Sequence, residues 1–131
     1  MYSFSIRLEG DISEIEQDVV RALKDEGFGV LTEIDVQATL KNKLGVSRRP
    51  YKILGACNPM FANQALDAEP DIGLLLPGNV VLREEQDGAI TVAFMDPVAV
   101  LKLVDRDGIE NLAMEVRSRL ERVKQALAVP A

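Results

Sequence analysis

Cys57 is the only cysteine in the chain, and it stands directly before Asn58-Pro59, a pair that reads as the start of a helix. A thiol placed there feels the partial positive charge of the unpaired amides at the helix N-terminus, which favours thiolate over thiol. Arg49 and Lys52 lie on the approach to the same strand or within it, beside Arg48, and would add to that field. The same helix-start amides offer a seat for a small anion. Equally, free cysteine is among the residues most often buried as a small apolar filler, and Cys57 is in phase with Tyr51 and Ile53, two large side chains expected to face the core. Both readings stand: an activated nucleophile, or packing. Asn58 divides the same way, between capping the helix through its side-chain oxygen and placing its amide on a ligand. Gly55 allows close backbone approach, or simply makes room for a packed neighbour.

Pro77-Gly78-Asn79 is the second candidate. It breaks the apolar run "DIGLLLPGNVVLREE", which reads as one long strand with a bulge or tight bend in the middle. Such a break re-aims side chains near a site, or just bends the sheet. Asp67, Glu69 and Asp71 fall within five residues, but their spacing matches no metal-ligand loop, and solvated acids around Pro70 account for them. No metal site and no cofactor are expected.

The missing residues constrain the chemistry harder. With no histidine, one chain cannot build a Ser-His-Asp triad, a Cys-His pair or a histidine-ligated zinc. No Cys-x-x-Cys, Gly-x-Gly-x-x-Gly or Walker-type loop is present. The formal charge of -6 opposes general binding to a phosphate backbone. That charge is uneven. Residues 41–52 hold Lys41, Lys43, Arg48, Arg49 and Lys52 without an acid, so the remaining 119 residues carry -11. A local positive segment on an acidic body suits a small anionic ligand or an acidic partner face, or is plain solvated charge. Nucleic acid and membrane are not expected partners. One cysteine allows no intramolecular disulfide, and the N-terminus lacks a secretory layout, so a cytoplasmic location is expected.

The elements that must position these residues follow from periodicity. At 131 residues, 47% of them hydrophobic, the chain suits one domain spanning 1–131. Tyr2, Phe4, Ile6 and Leu8 alternate with polar residues, the period of a half-buried strand. Asp11 then offers a helix cap, with Ile12, Ile15, Val19, Ala22 and Leu23 at helical spacing until Gly27. Val30, Thr32, Ile34 and Val36 alternate as a second strand, and a short helix through Leu40 and Leu44 ends at Gly45. "PYKILGAC" is the third strand, followed by a helix from Pro59 that must stop before Pro70. Residues 80–95 read as a hairpin turning at Gln86-Asp87-Gly88. Asp96-Pro97 opens a short helix, and Ile109, Leu112, Ala113, Val116, Leu120, Val123 and Leu127 line one stripe of a long final helix. The sum is an α+β fold: about five strands in a largely antiparallel sheet packed with helices.

"YKILGACNP" (residues 51–59), then "ALDAEPDIGLLLPGNVVLRE" and "DPVAVL", resembles the bacterial and archaeal domain of unknown function 302 family. The preceding "EIDVQATLKNKLG" is similar too, so the likeness covers nearly the whole chain. The resemblance implies an α+β domain of the TATA-binding-protein-like class and a homodimer; it implies no activity, because the family has none established. It also implies a departure: many relatives have a cysteine in the "LLPGN" motif where this chain has Gly78.

Taken together, the expectation is a cytoplasmic homodimer that binds a small molecule or partner at the corner between the strand ending at Cys57 and the helix starting at Asn58. Gly55, Cys57, Asn58, Pro77, Gly78, Asn79, Arg49 and Lys52 are the candidate binding residues. The alternative is a thiol-dependent redox protein or enzyme with Cys57 as nucleophile.

Overall fold

In the computed structural model, which describes residues 1–129, the N-terminal alternation folds as β1 (Ser3–Leu8), with Phe4, Ile6 and Leu8 packed on the core. Asp11 caps α1 (Ile12–Asp25), its carboxylate accepting from the Ser13 and Glu14 amides. The helix buries Ile15, Val19, Ala22 and Leu23. β2 (Gly29–Asp35), α2 (Val36–Leu44), β3 (Tyr51–Cys57) and α3 (Pro59–Ala68) follow. A 3₁₀ turn (Pro70–Leu75) leads into β4 (Gly78–Glu84) and β5 (Ile90–Met95). The chain closes with α4 (Pro97–Val100), a second short 3₁₀ turn (Leu101–Leu103) and α5 (Ile109–Ala128).

The sheet runs β1-β5-β4-β3-β2, and every neighbouring pair is antiparallel. α1 and α5 cover one face. There Leu54, Val80, Leu82, Val92 and Phe94 meet Val19, Leu23, Leu120 and Val123, all within 8% of full burial. Each such side chain contributes roughly 1.5–3 kcal/mol by leaving water. A second cluster under α3 and α4 holds Ala65, Ile72, Leu101, Ile109 and Ala113. The opposite face of the sheet contributes no residue to either cluster. No helix is long and apolar enough to cross a membrane among the described residues.

Three expectations need correction. Tyr51 and Ile53 do not face the core: Leu54 and Ala56 do, at 1% and 6% exposure, so β3 has the opposite phase. Large side chains on the alternate positions of β3 outweigh small ones by size alone, while the helices pack on the other set. In β2 the register shifts between Val30 and Thr32, so Val30 packs on the core face while Thr32 and Ile34 stand on the other. Val36, read as strand, begins α2 under the Asp35 cap. Finally, residues 70–75 are not strand. Pro70 supplies the first position of a 3₁₀ turn, Glu69 accepts from the Asp71 amide, and Ile72 is sunk in the second cluster, so β4 starts only at Gly78.

A candidate binding cavity at the β3–α3 corner

β3 ends at Cys57, and Asn58 turns the chain into α3. Its side-chain oxygen accepts from the Phe61 amide at 3.5 Å, and Pro59 takes the first helical position, where no N–H is required. Asn58 is 7% exposed. Behind this corner lies an apolar cavity of ≈ 70 Å³, with Cys57, Asn58, Gly78 and Asn79 on its wall. Those four are the sequence candidates the fold brings together, because Ala56 pairs with Gly78 and Gly55 with Asn79 across the β3–β4 ladder. The rest of the wall is carbon: Phe28, Phe61, Leu76, Met95, and the Leu112-Val116-Leu120 stripe of α5.

Four candidates lie elsewhere. Gly55 and Pro77 pack against each other rather than on the cavity. A side chain at Gly55 would stand 2.2 Å from Thr32 Oγ1 and 2.8 Å from Pro77 Cγ, so glycine is needed for packing. Lys52 sits near the opposite end of β3, bonded to Glu16 at 2.8 Å and Glu33 at 2.6 Å, which hold its ammonium well above the usual lysine range. Arg49 is exposed in the connection before β3 and lines an open groove with Arg48 and Arg83. The basic segment therefore does not charge the Cys57 corner.

Cys57 is half-buried, and that burial pushes its thiol up from the ordinary range. Gly78, paired with Ala56 across the ladder, lines the same cavity as Cys57. Asp96, 8% exposed, is occupied in structure: it accepts from the Val98 and Ala99 amides and faces Arg117 at 3.6 Å. Glu69, one of the three clustered acids, caps the 3₁₀ turn and faces Arg106 at 3.5 Å.

Arg119 was not among the candidates. Its guanidinium lies 5.2 Å over the Phe61 ring, and it donates to the Glu26 carbonyl and to Glu115. In sequence it is one charge on the polar side of an amphipathic helix, and nothing local separates it from Arg117 or Arg122.

The family model for the domain of unknown function DUF302 matches residues 4–127. The chain belongs to the DUF302 family. Its fold is similar to the crystal structure of an uncharacterized conserved DUF302 protein from Bacillus stearothermophilus, with a TM-score of 0.89 and 25% identity over 97% of this chain and 98% of the other. No match is found among curated proteins. The DUF302 assignment thus fixes the α+β fold and leaves activity to be argued from the cavity.

Proposed function

We propose that this DUF302 chain binds a small, largely apolar molecule in the cavity beside the β3–α3 corner, and that it catalyses no reaction there. The observation that carries this is the cavity itself: concave, carbon-lined, and rimmed by the polar groups of Asn58 and Asn79. Pockets of that composition, with few polar groups to orient a guest, are the usual form of small-molecule sites. The wall holds one ionisable group, the Cys57 thiol, and burial keeps it protonated. A nucleophile without histidine needs the reverse, a lowered pKa. Its lone reduced thiol also suits the reducing cytoplasm.

The partner reading is a second copy of the chain. It is favoured by the sheet face that enters neither core, where Ile34 is 48% exposed. In sedimentation equilibrium, Ile34→Asp should convert dimer to monomer; a monomeric parent protein would end that reading.

The cavity reading is tested by saturation-transfer NMR with a panel of small apolar molecules, against Gly78→Leu. Gly78 lines the cavity, and a Cβ there would make only ordinary contacts, with Met95 Cε at 3.7 Å and the Ala56 carbonyl at 3.8 Å, so a larger residue at this position is chosen to fill the space. Binding to the parent protein, lost in a folded Gly78→Leu variant, is the expected result. A panel that binds neither protein would sink it.

A further inference from the structure

The basic segment takes no part in the cavity, and the fold gives it a surface of its own. Among the described residues α2 is the one helix that buries none of its side chains. Leu44, at its end, is 69% exposed, and Val46, just past the Gly45 cap, is 42% exposed. With Leu40, Pro50 and Tyr51 they line an open groove of ≈ 1110 Å³, bounded by α2, the connection after it and the adjoining ends of β3 and β4. A single exposed leucine is ordinary; apolar side chains gathered in a groove beside unmatched charge mark an interaction surface.

The charge around that groove is unmatched. Among the described residues every arginine outside the basic segment pairs with an acid. Arg48 and Arg49 do not, and neither do Lys41 and Lys43 in the last turn of α2. The remaining unpaired cations, Lys24, Lys102 and Lys124, are scattered over α1, the second 3₁₀ turn and α5. Two acids line the groove from the end of β4. Glu85 is taken up by Arg83 at 2.7 Å, which leaves Glu84 against the four cations. Outside residues 41–52 the chain carries -11. An anionic partner is thus repelled by the body and drawn to this groove, which sets orientation as much as affinity.

We propose that the groove docks a segment of another protein in which aliphatic side chains alternate with aspartate or glutamate. The aliphatic groups lie along Leu40, Leu44 and Val46, and the carboxylates reach Arg48, Arg49 and the α2 lysines. Guanidinium groups suit this role, because their forked donors take a carboxylate bidentately. A nucleic acid suits it less, since a long phosphate backbone would run from the groove onto the acidic body. At ≈ 1110 Å³ and open to solvent, the groove also exceeds the clefts of about 300–1,000 Å³ that enclose a small molecule. This surface is separate from the cavity at the β3–α3 corner and stands or falls independently of it.

The test is fluorescence anisotropy with a labelled peptide alternating leucine with glutamate, beside octaglutamate and a peptide alternating leucine with glutamine. Each is titrated with the parent protein, Arg48→Glu/Arg49→Glu, Leu44→Ser and Lys24→Glu/Lys102→Glu, the last changing net charge equally away from the groove. All five replaced side chains are exposed, so the variants should melt with the parent protein. The expected result is that Arg48→Glu/Arg49→Glu weakens the leucine–glutamate peptide about tenfold or more, while Lys24→Glu/Lys102→Glu stays within about twofold. Leu44→Ser should weaken it about fivefold and leave its salt dependence unchanged. Either control peptide binding as tightly as the leucine–glutamate one would overturn the proposal, as would equal losses in the two double variants. Tighter binding of a single-stranded oligonucleotide at the same arginines would overturn it in favour of nucleic acid. A lower sedimentation-equilibrium mass in Arg48→Glu/Arg49→Glu would overturn it in favour of a second copy. A parent protein that binds none of the peptides would overturn it outright.

Discussion

The two ends of β3 are built from the same kinds of residue and behave oppositely. At the start, Lys52 is a cation enclosed by two acids, Glu16 and Glu33. At the far end, Asn58 spends its side-chain oxygen on the Phe61 amide and stands with Cys57 on the wall of a carbon-lined cavity. Charge density in the sequence pointed to the first end. The apolar cavity lies at the second end.

The comparison breaks most sharply at Gly55. Replacing it with valine drives a Cβ into Thr32 Oγ1 and Pro77 Cγ, at 2.2 and 2.8 Å, so both neighbours must shift. Overpacking of this kind should cost about 1–3 kcal/mol, read as a lower urea midpoint. A fully stable Gly55→Val would show that Pro77 yields freely.

A smaller effect is expected at the matched end. Lys52→Met leaves Glu16 and Glu33 facing each other without a cation. The loss should be about 1 kcal/mol, since the group is partly exposed. Its sign with pH is fixed. Lys52 binds its proton more tightly folded than unfolded, so the stabilisation is complete below the ordinary value of about 10.5 and disappears as pH rises through the higher folded value. Denaturation of the parent and variant at pH 8 and at pH 11.5 checks this: the gap should shrink at the higher pH. A gap that stays constant would mean packing, not charge, is what methionine changes.

The smallest effect sharpens the far end. Because burial raises the Cys57 pKa, iodoacetamide should react with the native thiol through a midpoint above that of the unfolded chain, which lies near 8.5. By the same linkage, Cys57 makes folding slightly less favourable as pH climbs past the unfolded value. A native midpoint below the unfolded one would restore the thiolate reading and demote the cavity to a substrate pocket.

Much of this fold is legible in the residues. β1, α1, the β4–β5 hairpin and α5 announce themselves because amphipathic periodicity and caps agree there. The phase of β3 is not legible. Tyr51 and Ile53 compete with Leu54 and Ala56, and only the side on which α1 and α5 settle decides between them. The bulge in β2 is equally silent, since one extra residue changes no residue type yet reverses which face Thr32 and Ile34 occupy. At the candidate site, Cys57, Asn58, Gly78 and Asn79 were found from turn chemistry. Arg119 was not, because its packing over Phe61 and its bond to the Glu26 carbonyl join residues far apart in the chain and near in space.

The strand order has a consequence for how the chain emerges from the ribosome. β1 is made first, and its only neighbour in the sheet is β5, with Ser3 opposite Met95 and Leu8 opposite Ile90. At 5–20 residues per second, β1 waits roughly 5 to 20 s for that neighbour. During that interval β2 and β3 can pair, and β4 joins them only shortly before β5 is made, while the first strand remains unpaired. Synthesis therefore sets the last closure of the sheet between its oldest strand and its newest.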